Sequence, residues 1–261
     1  MKLCRFLLKN APEEARSGIY HEGRYYETDG EKAVGIRDPG AINLLPPIGT
    51  PPAARVFETY TDSSGETNLT YRYINPTDLY GPNAEIELPQ FSTELDFNVH
   101  VVGTVRDRGE MIESQEASDF VLGYALMLVF FEPELAEHER HFGLPYGPSH
   151  DVGVALGPYL TTPDELTEFC SRSDPTHYSF RYEIKVGDVQ IAKNLYEPAQ
   201  SFSDLLQFGS RIRTIQVGEI VAWPMLDKPS LDLSALGRSL TTGDKIEVSV
   251  DGFGTLVARI S

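Results

Sequence analysis

The sequence predicts a β-rich α+β fold. Short runs of β-branched and aromatic residues recur along the chain, separated by Gly, Pro, Asn and Asp, and this pattern is typical of strands joined by turns. Only a few short segments carry helix-capping residues. The longest apolar run, residues 121–131, is far shorter than the roughly 20 residues of a membrane-spanning helix. We therefore expect no membrane segment.

The N-terminal part of the chain is predicted to form short strands, at residues 18–20, 24–26 and 33–36. A Pro-rich stretch at residues 45–52 follows, and it cannot be helical because proline lacks the amide proton and fixes φ. We therefore expect a small N-terminal β region with this linker at residues 1–50, and a main domain at residues 51–261.

The main domain is predicted to contain two long strands and two hairpins. Residues 97–105 are rich in β-branched side chains, which favour strands. The bulky run at residues 123–131 fits a strand that is buried on both faces. The hairpins are predicted at residues 178–195, with Gly187-Asp188 as the turn, and at residues 244–260, with Asp251-Gly252 as the turn.

Three short helices complete the prediction. Residues 114–120 suit a short helix, and residues 203–211 have an amphipathic pattern. A further helix is predicted to begin at Thr162, because a threonine N-cap followed by Pro163 is a common helix start.

Composition excludes several classes of partner. The chain has 39 acidic and 22 basic residues, giving a formal net charge of −17, so nucleic acids and anionic membrane surfaces are not expected to bind. Its two cysteines, Cys4 and Cys170, lack the spacing of a zinc site and fit a reducing compartment. No signal-peptide pattern precedes them, and we expect a cytoplasmic protein.

Four segments of the chain resemble motifs of one family and occur in the same order. They read Tyr-Gly-Pro from Tyr80, Glu-Leu-Asp-Phe from Glu94, Leu-Gly-Pro-Tyr-Leu-Thr-Thr-Pro-Asp-Glu-Leu from Leu156, and a Gly-Asp and Gly-Phe-Gly pattern within residues 240–257. Together they resemble the fumarylacetoacetate hydrolase superfamily. The resemblance implies a mixed β-roll or barrel with a small N-terminal β domain. It also implies a homodimer that acts on a small polyketone or oxo-acid-like substrate.

The resemblance further implies a divalent cation held by carboxylates, but this chain replaces them. The corresponding positions hold Val56, Asn98, His100 and Val129, and the catalytic lid histidine of the family becomes Ser63. Mg²⁺ and Mn²⁺ prefer hard oxygen ligands, including carboxylates, and these positions supply none. We therefore expect no metal cofactor.

Asn98 and His100 are the leading catalytic candidates. They alternate with Val99, so both side chains should point to one face of a strand. His100 could exchange a proton near neutral pH as a general acid or base, with Asn98 orienting the substrate. The alternative is a filled pocket in which His100 is hydrogen-bonded to a neighbour.

Other polar residues are secondary candidates. His150 and Asp151 lie where the resemblance places lysine and an acid, and Asp151 serves either catalysis or loop capping. Glu132 is predicted either to supply a carboxylate to the site or only to form the polar end of a strand. His138, His141 and His150 are an alternative zinc site, since two of them are three residues apart.

Substrate contacts are predicted at Arg72, Tyr73, Tyr80 and Trp223. The resemblance places the first three in the stretch that contacts the substrate carboxylate, and Arg72 is the best anion anchor there. Two functions remain open. One is a metal-independent enzyme that catalyses proton transfer, decarboxylation, cyclisation or C–C cleavage. The other is an inactive scaffold that binds a ligand or partner, with its pocket filled by Trp223 or Phe131.

Overall fold

The computed structural model describes residues 1–30, 32–144, 147–171, 174–224 and 236–261. The described strands are β1 (Lys2–Leu8), β2 (Ala11–His21), β3 (Arg24–Thr28), β4 (Ala33–Arg37), β5 (Ile42–Leu45), β6 (Ala54–Thr61), β7 (Thr67–Tyr73), β8 (Leu79–Tyr80), β9 (Ala84–Ile86), β10 (Asp96–Val105), β11 (Val121–Phe131), β12 (Gly153–Thr161), β13 (Phe180–Val186), β14 (Val189–Tyr196), β15 (Ile220–Pro224), β16 (Lys245–Val250) and β17 (Gly254–Ile260). The helices are α1 (Pro133–His141), α2 (Phe202–Ile212) and the 3₁₀ segments Pro39–Ala41, Ser114–Phe120, Pro148–His150 and Pro163–Phe169.

Two sheets form the molecule, and the predicted β-rich class is confirmed. The large sheet has the order β4-β3-β2-β1-β12-β11-β10-β15-β6-β7, with β5 beside β1 and β8 beside β12. The smaller sheet has the order β14-β13-β16-β17-β9. Within the described ranges the large sheet ends at β4 and β7, so it is a rolled open sheet and not the closed barrel that the expectation allowed. Because β1 pairs with β12, the N-terminal strands extend this same sheet.

Strand β10 divides the core into two layers. Phe97, Val99 and Val101 belong to the larger apolar cluster. Val102 packs instead in a second cluster on the opposite face, with Val56, Met127 and Val129. Since side chains alternate along a strand, Asn98 and His100 lie on the face of the second cluster. The sheet therefore shows the predicted alternation of the Asn98, Val99 and His100 side chains.

Helix α1 was not predicted, because its sequence is mostly polar and lacks a clear apolar periodicity. Its start is nevertheless defined locally. Pro133 occupies the first turn, and the Glu132 carboxylate accepts a hydrogen bond from the Leu135 amide. This cap satisfies an amide that the helix leaves unpaired. The helix places Glu139 against the 3₁₀ segment that contains Ser149 and His150.

A buried ion pair fixes strands β6 and β7 against the rest of the protein. Arg55 and Glu219 are each about 1% exposed, with Arg55 Nε 2.5 Å from Glu219 Oε1. Arg55 also donates to the Gly209 carbonyl at 3.1 Å and lies 5.0 Å from the Tyr71 ring centroid. Breaking such a pair leaves an uncompensated buried charge, so β6 is firmly anchored, and β7 is held beside it through Tyr71.

Among the described residues, no helix combines the length and apolar composition needed to cross a bilayer.

Candidate active site

The candidate site begins on one face of β10 and its neighbour β11. The register pairs on this face are Asp96 with Phe131, Asn98 with Val129 and His100 with Met127. Directly paired residues point to the same side of a sheet. The site therefore carries a line of three polar side chains on β10 beside three apolar side chains on β11.

The positions that the resemblance assigned to a metal do not suit one. Val56 and Val129 are fully buried in the second apolar cluster, and they leave only the Asn98 amide and the His100 imidazole as donors. A hard divalent cation prefers carboxylate oxygens, so this donor set does not fit it. Across the described ranges, no group of three His, Cys, Asp or Glu side chains is placed to bind a metal. His138 and His141 are exposed while His150 is buried, so the three histidines of the zinc alternative do not converge.

His100 is buried, and its imidazole lacks a side-chain hydrogen-bond partner in the described part of the chain. It is 2% exposed, and its polar interaction is with the backbone at Trp223. Burial, followed by the positive charge of Arg72, lowers the pKa of His100 to about 3, although the backbone at Trp223 opposes this shift. His100 is therefore uncharged at pH 7. The expectation that it exchanges a proton near neutral pH did not include this desolvation.

A cavity of about 320 Å³ lies beside this face and brings four predicted residues together. It is lined by Arg72, Tyr73, His150 and Asp151, with Asn75 and Pro148 completing much of its wall. Asn75 Nδ2 donates to Asp151 Oδ1 at 3.1 Å. Neither His100 nor Asn98 is among the lining residues.

Arg72 provides positive charge at this cavity. It lies on the edge strand β7, opposite Val56, and its side chain is largely buried. Its Nε donates to Glu58 Oε1 at 3.2 Å, which orients the guanidinium. Its charge lowers the pKa of both His100 and His150. An anion bound at Arg72 would reduce that effect.

His150 is oriented by a hydrogen-bonded chain. Its ring stacks on Phe131 with centroids 4.7 Å apart, and its Nδ1 lies 2.8 Å from Ser149 Oγ. Ser149 Oγ in turn donates to the carboxylate of Glu139. Because this hydroxyl gives its proton to Glu139, it accepts one from His150 Nδ1. His150 Nε2 then carries the lone pair and is the basic nitrogen.

Glu139 is held ionised within that chain. Burial acts to raise the pKa of this carboxyl, but hydrogen bonds from Ser149 and Gly147 prevail and lower it. The amide of Ser149 donates at 3.0 Å and the amide of Gly147 at 2.9 Å. Burial, followed by the charge of Arg72, lowers the pKa of His150 to about 3. An ionised glutamate, a hydroxyl and a neutral imidazole thus lie in sequence at the cavity wall.

Two residues of the site were missed from the sequence. Glu139 belongs to a helix that was not predicted, and no local motif links it to His150. Asp96 follows the same alternation as Asn98 and His100, and that pattern could have identified it. Burial, with a contribution from Glu94, raises the pKa of Asp96 to about 6 against a hydrogen bond from the Phe97 amide.

The remaining candidates lie elsewhere. Glu132 caps α1 and accepts a hydrogen bond from Ser92 Oγ at 2.9 Å. Tyr80 lines a different cavity. Trp223 points into the larger cluster, 5.4 Å from the ring of Phe202, on the opposite face from His100. It therefore neither lines nor fills the cavity at Arg72.

Glu139→Gln is expected to lower kcat by about tenfold or more while KM changes little. A glutamine amide can donate to Ser149 Oγ, so the hydroxyl would donate to His150 Nδ1 and move the imidazole proton to Nε2, removing the basic nitrogen. The measurement is the separate determination of kcat and KM. Glu137→Gln is the matched control, because Glu137 lies on the same helix and is exposed. A change in KM alone would contradict the orienting role.

Comparison with known proteins places this chain in a family. Residues 56–261 match the family model described as fumarylacetoacetate (FAA) hydrolase C-terminal. An uncharacterized protein of Pyrococcus abyssi is 28% identical over 187 residues, which are 71% of this chain and 76% of that protein. The 2,4-didehydro-3-deoxy-L-rhamnonate hydrolase of Sphingomonas sp. is 24% identical over 70% of this chain and 61% of its own length.

A solved structure agrees at the level of the fold. The 5-carboxymethyl-2-hydroxymuconate delta-isomerase from Mycobacterium smegmatis superposes with a TM-score of 0.76 at 16% identity, covering 100% of this chain and 99% of that one. The fold expected from the resemblance is therefore confirmed over the whole chain.

Proposed function

Because the chain belongs to the fumarylacetoacetate hydrolase family, we propose that it is an enzyme that acts on a small polyketone or oxo acid without a divalent metal. Two of the similar proteins are named as a hydrolase and an isomerase, and the substrate in each name is a carboxylate. The observation that carries the proposal is the cavity where Arg72 and the oriented imidazole of His150 meet. As in the resemblance, the protein is proposed to be a homodimer.

Arg72 is proposed to bind the carboxylate of the substrate. A guanidinium offers paired donors that match a carboxylate, and its contact with Glu58 fixes its direction. The exposed carboxyl of Asp151 stands on the same cavity wall. Repulsion from it favours a pose in which the substrate carboxylate lies at Arg72 and the carbonyl carbon chain extends toward His150.

His150 is proposed to take the proton next to the substrate carbonyl. The C–H electron pair would then form the enolate, and His150 would return its proton to the same or another carbon. A substrate carboxylate at Arg72 offsets the positive charge that lowers the pKa of His150, so the imidazole becomes more basic in the complex. The proposal thereby moves the proton-transfer role from His100 to His150, which is the imidazole that lines the cavity.

A second candidate function is an inactive scaffold that binds a ligand or partner. The observation that favours it is the apolar filling of the metal positions by Val56 and Val129, together with the burial of His100. Such a protein would bind small acids at Arg72 without converting them.

The test combines metal analysis with assays of oxo acids. Protein purified without chelator is expected to contain well under one equivalent of Mg, Mn, Ca or Zn. Keto–enol proton transfer in a panel that includes oxaloacetate and acylpyruvates is expected to persist in EDTA, and to fall in Arg72→Gln but not in Arg24→Gln, an exposed arginine on β3. We expect no hydrolysis of fumarylacetoacetate-like or acylpyruvate substrates. Stimulation by Mg²⁺ or Mn²⁺ would contradict the proposal, and saturable binding without turnover would favour the scaffold.

A further inference from the structure

A second cavity, separate from the one at Arg72, lies where the N-terminal strands meet the main domain. We call it the Lys9 cavity. Its volume is about 540 Å³, within the range of small-molecule sites, and its polar lining consists of Lys9, Tyr25, Asn43, Tyr80 and Asn83. Pro39, Ile42, Leu44 and Pro82 are among its apolar lining residues.

The walls of the Lys9 cavity are firmly placed. A side chain at Gly81 would put its Cβ 2.6 Å from the Leu44 carbonyl oxygen, so the two segments that form the cavity touch through their backbones. Asn83 adopts a left-handed backbone with φ 64°, and its amide donates to the Val257 carbonyl at 2.8 Å. The Tyr25 hydroxyl lies 3.2 Å from that of Tyr159. These contacts make the cavity a preformed shape.

The charged groups around the Lys9 cavity determine which net charge a ligand should carry. Lys9 is the charged side chain among the described lining residues, and its ammonium group has no carboxylate partner in the described part of the chain. Burial, with the nearby Asp78 and Glu87, raises the pKa of Tyr80, so this phenol stays protonated. Those two acids also disfavour a second negative charge at the Tyr80 end. A ligand with one negative charge, located at Lys9, fits this arrangement.

The neutral lining indicates the rest of the ligand. Tyrosine and proline rings offer apolar surfaces. The two asparagine amides can donate to or accept from a polar substituent, and the Tyr80 hydroxyl, whose proton is directed to Asp78, can accept from one. From this combination we propose that the Lys9 cavity binds a small planar aromatic monocarboxylate. The carboxylate pairs with Lys9, and the ring lies between the tyrosine and proline side chains.

The experiment is calorimetric titration of the full chain with benzoate and 4-hydroxybenzoate. Both are expected to bind, with 4-hydroxybenzoate tighter, and Lys9→Gln is expected to weaken binding by about tenfold, since a charge-assisted hydrogen bond is lost. Tyr80→Phe should remove the advantage of the hydroxyl group. Arg72→Gln is the control, because it alters the other cavity and should leave benzoate affinity unchanged.

Neutral and dianionic compounds make the test specific. Benzamide and phthalate are expected to bind much more weakly than benzoate. The proposal is overturned if benzoate does not bind at 20 mM, a concentration about 20-fold above a millimolar Kd. It is also overturned if Lys9→Gln binds benzoate as the native protein does, if Arg72→Gln abolishes that binding, or if adenosine binds and benzoate does not. Lys9 is exposed, so its replacement should leave thermal unfolding unchanged.

Discussion

His150→Ala is expected to lower kcat/KM by about 10²–10⁴-fold, the range that general acid–base catalysis usually spans. The substitution removes the basic nitrogen at the cavity wall and leaves Arg72 in place to bind the substrate. His138→Ala is the matched control, because His138 is exposed on α1 and distinct from the cavity lining. Because the His150 ring stacks on Phe131, the His150→Ala variant must also show the circular dichroism spectrum of the native protein for the loss of activity to be assigned to catalysis.

The pH profile gives this prediction a second readout. Because the pKa of His150 is lowered to about 3 in the free protein, kcat/KM should not fall between pH 8 and pH 5 through protonation of this base. A decline with an apparent pKa near 6.5 would contradict the assignment of a desolvated base. An unchanged kcat/KM in His150→Ala would remove the residue from the mechanism.

The same assay separates the sequence-based and structure-based assignments. From the sequence, His100→Ala is predicted to cost 10²–10⁴-fold and Asn98→Ala to cost less. In the structure, His100 lies behind the cavity and is uncharged at pH 7, so we expect a smaller loss than in His150→Ala. A larger loss in His100→Ala would return the proton-transfer role to that residue.

Local patterns predicted the strands that carry the site. The β-branched run at β10, the apolar run at β11 and the Gly187-Asp188 turn each fold as their own composition favours. The alternation of Asn98, Val99 and His100 placed the first and third side chains on one face, as the structure shows, because a strand has a period of two. Such signals lie within a few residues and need no knowledge of the tertiary structure.

The rest of the site depends on contacts that no local pattern contains. Glu139 reaches Ser149 only because a polar helix, capped by Glu132, packs beside a 3₁₀ segment. His100 lies on β10 between β11 and β15, with Met127 and Pro224 as its register partners, and these pairings join segments that are far apart in the sequence. The resemblance indicated which carboxylates were missing, but the contacts among Glu139, Ser149 and His150 are visible only in the folded structure.

His100→Leu is expected to stabilise the protein, and the gain should increase as the pH falls. Leucine has a similar size and removes a desolvated imidazole that lacks a side-chain partner among the described residues, so the free energy of unfolding at pH 7.5 should rise by about 1–2 kcal/mol. The native state keeps His100 neutral, whereas the unfolded chain protonates it below its ordinary pKa of 6.5. Above pH 6.5 His100 is neutral in both states and its titration does not affect stability, whereas below pH 6.5 it destabilises the native state increasingly as the pH falls toward 3.

The size of that loss follows from linkage. Each pH unit below 6.5 costs the native protein about 1.4 kcal/mol for this group, so the advantage of His100→Leu should grow by about 2 kcal/mol at pH 5. Asp96 acts in the opposite direction, since its pKa is raised to about 6 and the native state binds its proton more readily. His150 resembles His100 in sign. Both groups are present in the two proteins, so their contributions cancel in the difference.

Urea denaturation at pH 7.5 and pH 5.0 measures this difference directly. His138→Leu, which alters an exposed imidazole, is the matched control. If the advantage of His100→Leu were equal at the two pH values, His100 would titrate alike in the native and unfolded states. The imidazole would then be solvated or hydrogen-bonded in the native protein, and general acid–base chemistry near pH 7 would become available to it. A growing advantage instead means that His100 stays neutral in the fold, as the proposed role of His150 in proton transfer requires.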